Sequence, residues 1–234
     1  MDKRYTVILL IIFFLLLVSL SFSFSPFFKI REFTIHSRNK IDQNSLRSYL
    51  TEFYGKNILF FNTDKLEAKL QQHNLISAVE VKKSYPSEIH IIIEERRPTA
   101  WIKNNGQQLI FSADGIILKE VSADQRPAIP QITGFPYLFS GQKINFPVEM
   151  KALLDIMSKF STGFLAQIAR INRQEDGIYK LYLTTGGGVN LGSSDQLEEK
   201  FAFLNSILKD IAKDQEKVDY INLQVIKHPV IKFK

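Results

Sequence analysis

A chain of 234 residues has room for one or two modest domains, and a 45% apolar share can build a packed core, although part of that share is concentrated at the N-terminus. The net charge of +6 is spread along the chain, as on a solvated surface or one drawn to anionic lipid headgroups, and no nucleic-acid motif accompanies it. The absence of cysteine excludes thiol catalysis and cysteine-bound metals, and an exported domain of roughly 200 residues can fold on its core without disulfides.

From Tyr5 to Phe28 no side chain is charged, and residues 7–20 are apolar apart from Ser19. A helix rising about 1.5 Å per residue crosses the hydrocarbon layer with about 20 residues. Residues 5–25 are therefore expected to form a transmembrane helix, preceded by a cytoplasmic stub at 1–4. Hydroxyls at Ser19, Ser21 and Ser23 can bond back to a carbonyl one turn earlier, and Pro26 ends the helix. The competing pattern is a cleaved signal peptide, with Lys3 and Arg4 as its basic region and Ser21 and Ser23 as small residues of a cleavage site. Phe22 and Phe24 interrupt that site, and the apolar run is longer than a signal peptide needs. Both patterns leave Lys3 and Arg4 in the cytoplasm and export everything from about Phe27 onward. Lys29 and Arg31 on the far side reduce the charge asymmetry.

Ile30, Phe33 and Ile35 suggest a strand over 29–36. Asp42 is a candidate N-cap for a helix whose inward face is Leu46, Tyr49, Leu50 and Phe53, with Gly55 as its stop. Residues 57–61 lead to Thr63, before a second helix carrying Leu66 and Leu70, with Glu67 near the capping-box position. Two alternating runs follow, one through Val79, Val81 and Lys83 and one through Ile89, Ile91 and Ile93, joined by the turn Tyr85-Pro86-Ser87. The order β-α-α-β-β over 26–97 describes a two-layer domain with helices on one face of a sheet.

Beyond Pro98 the pattern changes. Trp101-Ile102 and Leu109-Ile110-Phe111 flank Asn104-Asn105-Gly106, a hairpin signal, and Asp114-Gly115 turns the chain before Ile116 to Leu118. Residues 127–134 read as a loop. Met150, Leu153, Leu154, Met157 and Phe160 follow helical spacing, with Pro147 suited to the first turn. Residues 168–172, 177–184 and 189–191 read as three strands, and Leu197, Phe201, Leu204, Ile207, Leu208 and Ile211 form a helical stripe. The chain closes on a strand over 220–227 and a short tail after Pro229. The whole is an α+β fold: an anchor helix, a small β-α-α-β-β domain, and a mostly antiparallel β-domain with two helices over 98–234.

These residues carry a resemblance. The segments "NILFFNTDKLEAKL" and "AVEVKKSYPSEIHIIIEERRPTAWI", placed just outside an apolar helix, are similar to a POTRA domain. The exit Glu95-Arg96-Arg97-Pro98-Thr99-Ala100 resembles the "E-R-x-P-x-A" junction of the bacterial FtsQ/DivIB family. Ile129-Pro130-Gln131-Ile132-Thr133-Gly134 and "DGIYKLYLTTGGGVNLGSSDQLEEKFAFLNSIL" resemble that family's β-domain, with Lys200 at its lysine position. The likeness covers essentially the whole chain in the right order. It departs at Ile221-Asn222-Leu223-Gln224, which lacks both charges of the family's "[ILV]-D-[LM]-R", and in a cytoplasmic stub of only 1–4.

The resemblance implies a non-enzymatic, bitopic division scaffold at the septum, with both domains outside the cytoplasm. Its implied partners are FtsB (DivIC in other bacteria) and FtsL, and through them FtsW–FtsI and septal peptidoglycan synthesis. It implies no cofactor, metal, nucleic acid or small-molecule substrate. Relatives bind FtsB by strand addition, which points to Tyr220, Asn222, Gln224, Ile226 and Lys227 as partner-binding residues on a C-terminal edge strand. Gln224 stands where the family has arginine, so a salt bridge made there is absent or moved to Lys227. The alternative is that this is the last strand of the fold, its edge capped by the tail after Pro229.

The residues offer little catalytic chemistry. Gly186 to Gly188 lacks the Gly-Lys-[Ser/Thr] ending of a phosphate loop and lies between strands, as a hairpin turn does. His36, His73, His90 and His228 show no metal-ligand spacing, and no Gly-x-Ser-x-Gly elbow is present. Glu94 and Glu95, as neighbours on a strand, point to opposite faces and cannot flank one glycosidic bond. Two other classes stay open: another POTRA-bearing export or envelope-assembly factor, and an exported cell-wall hydrolase whose catalytic acid would have to be found.

Overall fold

Helix α1 (Lys3–Ser23) forms where the sequence is free of glycine and proline and almost wholly apolar. Its segment Arg4–Ser23 is long and apolar enough to cross a membrane. Ser23 Oγ donates to the Ser19 carbonyl at 2.9 Å, the back-bonding expected of a hydroxyl in an apolar helix. Pro26 then opens a single 3₁₀ turn, Pro26–Phe28, capped by Ser25, whose Oγ accepts from the Phe27 N–H at 3.0 Å. The structure, a computed structural model, describes residues 3–37, 43–214 and 218–234. It divides into two units, Met1–Arg96 and Arg97–Lys234.

The first unit continues with β1 (Glu32–Ser37), α2 (Gln43–Leu50) extended by a 3₁₀ turn at Thr51–Phe53, α3 (Thr63–Leu70), β2 (Ile76–Ser84) and β3 (Glu88–Glu95). The sheet order is β1-β3-β2, with β1 parallel to β3 and β2 antiparallel to it. Leu46, Leu50, Phe53, Ile58, Phe61, Leu66 and Leu70 bury their side chains against Val79, Val81, Ile89, Ile91 and Ile93, so one sheet face is covered and the other open. Tyr49, expected on the inward face, is half-buried at its rim. The cap proposed at Asp42 lies outside the described residues. Asn62, not Thr63, caps α3, its Oδ1 accepting from the Lys65 N–H at 3.1 Å. With the cap at Asn62, Glu67 sits beyond the capping-box position, and its carboxylate instead accepts the Val81 N–H at 2.7 Å, tying helix to sheet. β1 starts at Glu32 rather than at 29 because Lys29 and Ile30 pair with the 55–57 turn instead.

The second unit contains β4 (Ala100–Asn104), β5 (Gln107–Phe111), β6 (Ile117–Ser122), β7 (Gln131–Thr133), β8 (Leu138–Ser140), β9 (Lys143–Asn145), α4 (Val148–Ser158), α5 (Thr162–Leu165), β10 (Ile168–Arg173), β11 (Tyr179–Leu183), β12 (Gly188–Gly192), α6 (Leu197–Asp214), β13 (Val218–Asn222) and β14 (Val230–Phe233). Nine strands form one sheet in the order β14-β13-β12-β11-β10-β7-β4-β5-β6, and β8 and β9 form a separate hairpin. Helices α4 and α6 bury Met150, Leu153, Leu154, Met157, Phe201 and Leu204 against one face, where Ile102, Ile132, Ile171, Leu181, Val189 and Ile221 meet them. The β4–β5 turn has positive φ at both Asn105 (45°) and Gly106 (82°), the mirror-image turn that matches strand twist.

Two segments differ from expectation. Residues 127–134 are not all loop: β7 lies within them, parallel to both β10 and β4, and it joins the two halves of the sheet. Pro127, Pro130 and Gly134 leave only three residues for this strand, too few for an alternation to show. The strand expected over 220–227 stops at Asn222, whose Oδ1 accepts from the Gln224 N–H at 3.0 Å and bends the chain. The tail after Pro229 then returns as β14, antiparallel to β13.

Gly134 has φ of +83°, and a Cβ there would lie 1.9 Å from the Arg173 carbonyl oxygen. Gly134→Ala should therefore destabilise the second unit by more than about 1 kcal/mol. Its urea midpoint should fall by the corresponding amount, and an unchanged midpoint would mean that β7 and β10 do not approach in this way.

Candidate functional site at the C-terminal sheet edge

An open sheet ends in two strands, each with a row of N–H and C=O groups that no neighbour takes up. At one end is β6. Its start is partly occupied, since the Ile117 N–H donates to the Gln142 carbonyl at 2.9 Å and Ile116 bridges Lys143. Its middle carries the exposed charges Lys119 and Glu120, a usual protection of an edge. At the other end is β14, which among the described residues pairs only with β13, in the register Asn222↔Val230, Ile221↔Ile231 and Tyr220↔Lys232. Ile231 packs against the helix-covered core, while Val230 (58% exposed) and Phe233 (43%) leave apolar surface at the edge.

The sheet face away from the helices continues inward from this edge. Lys232 stands opposite Tyr220, Tyr220 beside Gly188, Gly188 beside Tyr182, and Tyr182 beside Arg170. The Arg170 guanidinium lies 4.2 Å from the Tyr182 ring centre, and the Lys232 ammonium 3.2 Å from Asp219. The row is aromatic and basic, and it carries no large aliphatic side chain. It can recognise a polar or acidic chain laid along it.

The five residues singled out from sequence do not share one strand. Tyr220 and Asn222 lie on β13, on the open face beside Lys232 and Val230. Gln224, Ile226 and Lys227 belong to the connection between β13 and β14. Gln224 folds over the end of β12, so that a Cβ on Gly192 would lie 3.0 Å from its Cγ. β13 is therefore an interior strand, and the edge that sequence reasoning placed on 220–227 belongs to β14. A short segment after a proline, with Val230, Ile231 and Phe233 in four residues, was the available signal for it.

Other groups complete the electrostatics. Lys200, on α6, is buried and donates to the Ser193 carbonyl at 3.2 Å; burial pushes its pKa down, and the charge of Asp195 opposes that. Gly186, with φ of +92°, turns the chain between β11 and β12. On the open face of the first unit, His36 and His90 meet across β1 and β3 with ring nitrogens 3.4 Å apart, a pairing that residues 54 apart in sequence could not announce. The Thr34 hydroxyl donates to Glu88 and, with His90, holds that carboxyl below its ordinary range. Among the described residues, no three histidine, aspartate or glutamate side chains converge as a metal site would require.

Comparison with known proteins gives the chain its family. The description "POTRA domain, FtsQ-type" matches residues 28–96, and "Cell division protein FtsQ/DivIB, C-terminal" matches 100–224, more than half of the chain. The chain belongs to the FtsQ/DivIB family of cell division proteins. Among similar proteins are the cell division protein FtsQ of Anaeromyxobacter sp. (strain K), 22% identical over 88% of this chain and 70% of its own, and the cell division protein DivIB of Clostridium botulinum (strain Hall), 23% identical over 97% of this chain and 92% of its own. The solved major extracytoplasmic domain of the trans isomer of DivIB from Geobacillus stearothermophilus aligns with 51% of this chain and 92% of its own at 16% identity. The TM-score between the two is 0.35. The family places this protein in cell division, and α1 gives it a helix suited to a single-pass membrane anchor.

Pairing of β14 on one side only has a direct consequence. Of the amides in β14, alternate ones point to β13 and the rest to solvent. Hydrogen exchange of the isolated protein should divide Val230–Phe233 into slow and fast amides in alternation. Uniformly fast exchange across all four would mean that β14 is not part of the sheet in solution.

Proposed function

We propose that this protein is a non-catalytic scaffold of the division machinery. In this reading α1 remains attached as a single-pass anchor in the cell membrane, with its N-terminus cytoplasmic and residues from about Phe27 onward outside, at the division septum. The C-terminal edge binds an FtsB/DivIC-like protein, together with an FtsL-like one, and so helps regulate septal peptidoglycan synthesis by FtsW–FtsI. The observation that carries the reading is that β14 is a short strand with an unpaired side among the described residues, apolar at Val230 and Phe233, with Lys232 within it and Lys227 and Lys234 to either side.

An added strand takes its affinity from main-chain hydrogen bonds and its specificity from alternate side chains. Here β14 supplies the main chain. Tyr220 and Asn222 line the open face one strand inward, and Gln224, Ile226 and Lys227 border the end of the edge. The loss of the family's arginine at Gln224 leaves the backbone pairing intact, and Lys227 offers a cation for an acidic partner residue, with Lys232 shared with Asp219. Family membership and the edge together favour binding over chemistry, because among the described residues no grouping places a nucleophile, a base and a substrate pocket together.

Proline scanning tests the edge. Ile231 and Lys232 are adjacent on β14, so one N–H points to β13 and the other outward. Ile231→Pro and Lys232→Pro should differ: the outward position keeps the fold, by circular dichroism, but weakens partner binding about tenfold, since about 1.4 kcal/mol of hydrogen bonding is lost. Unchanged affinity in both folded variants would remove β14 as the binding edge.

A further inference from the structure

The segment Arg4–Ser23 contains 20 residues, which at about 1.5 Å each reach about 30 Å, the thickness of the hydrocarbon layer. If α1 spans, Ser23 therefore stands at the polar boundary. No slack follows it. The Asn57 side-chain amide donates to the Ser23 carbonyl at 2.6 Å, the Ile58 N–H to Phe28 at 2.8 Å, the Ile30 N–H to Lys56 at 2.8 Å, and the Gly55 N–H to Ile30 at 2.9 Å. These bonds hold the 55–58 turn of the small domain against the end of the anchor helix.

The same end of the domain carries an unusual surface. Phe60, 62% exposed, stacks on Phe24, the residue after α1, with ring centres 5.3 Å apart. β1 and β3 run parallel away from this end and β2 returns to it, so the Tyr85-Pro86-Ser87 turn is also here; the Arg31 N–H donates to Ser87 at 2.8 Å. Tyr54 and Tyr85 are exposed beside it, as are the cations Lys29, Arg31 and Lys56. The acids at this end are Glu32, exposed, Glu52, paired with Lys69 and within reach of the Lys56 charge, and Glu88, engaged by Thr34 and His90, so the cations Lys29 and Arg31 carry most of the charge offered to lipid. Exposed aromatic rings among lysine and arginine are the composition of a protein surface at the membrane–water boundary, where amphipathic rings sit at headgroup depth and cations meet anionic lipids.

We propose that this end of the first unit is a membrane-docking surface: Phe60, with Tyr54 and Tyr85 beside it, enters the headgroup layer of the outer face of the membrane, and Lys29, Arg31 and Lys56 contact anionic headgroups. The inference rests on the reading of α1 as a spanning anchor. It adds that the small domain lies on the lipid surface at a set depth, rather than hanging from a flexible tether. The binding chemistry is that of an anionic phospholipid surface.

The test uses the full chain in vesicles of phosphatidylethanolamine and phosphatidylglycerol. Trp101 is the only tryptophan, so Trp101→Phe clears the background and Phe60→Trp places one reporter at an exposed site that the fold does not need. Emission from position 60 should shift to the blue, and a lipid spin label near the headgroup should quench about half of it. Phe14→Trp in the same background reports the middle of α1, which a label deep in the acyl chains should quench. Water-like, unquenched emission from position 60 with quenched emission from position 14 would overturn docking and leave the anchor standing. Unquenched emission from position 14 would overturn the anchor, and docking with it.

Discussion

A sheet that does not close on itself must end in two edges, and the main-chain groups of those edges must be covered, protected or used. The nine-stranded sheet of the second unit meets this constraint differently at its two ends. β6 has a hairpin contact at its start and charges along its middle, whereas β14 offers a bare backbone with apolar residues on either side of Lys232. The tail after Pro229 thus covers the edge of β13, as the alternative reading expected. It moves the edge outward by one strand and makes the β13 strand, with Ile221 at its centre, part of the packed core. The proposed role in division depends on this placement more than on any single side chain.

The interior of each unit prepares those surfaces. In the first unit, the Glu67 carboxylate ties α3 to β2, and the buried run from Leu46 to Ile93 leaves one sheet face free for His36, His90 and Glu88. In the second, Phe201 and Leu204 of α6 share one core with Val189 and Ile221, so the last strands are held by the core on one face while the other carries Tyr220 and Lys232. Replacing Phe201 by alanine would cost about 3–5 kcal/mol and loosen the support beneath β13. The 55–58 turn and Phe60 link the anchor to the small domain through the Asn57 side-chain amide on the Ser23 carbonyl, backbone bonds to Phe28 and Ile30, and the Phe24–Phe60 ring contact.

Much of this was legible in the sequence, because long periodic segments announce themselves. The stripe from Leu197 to Ile211, the alternation of Ile89, Ile91 and Ile93, and the Asn105-Gly106 turn all appear where periodicity and turn chemistry put them. What failed were short elements whose partners are far away. β7 has three residues between prolines and a glycine, and only its pairing with β10, some forty positions later, makes it a strand. β14 has four residues, and the alternation through Ile221, Leu223 and Val225 runs straight past the bend that Asn222 makes with its own side chain. Of the expected binding residues, Tyr220 therefore stands on an interior strand and Gln224 in a turn. The meeting of His36 with His90 was invisible for the same reason: parallel pairing of β1 with β3 sets it.

The central claim is that a division partner adds a strand to β14. The chain has no cysteine, so single cysteines can be placed at Val230, at Lys232 and, as a control, at Lys119 on β6. Disulfide trapping in cells against a cysteine scan of the extracytoplasmic part of the FtsB/DivIC-like protein would read the contact directly. The account predicts cross-links from positions 230 and 232 to alternate residues of one partner segment, as an added strand requires, and none from 119. Cross-links from 119 without any from 230 or 232 would contradict it.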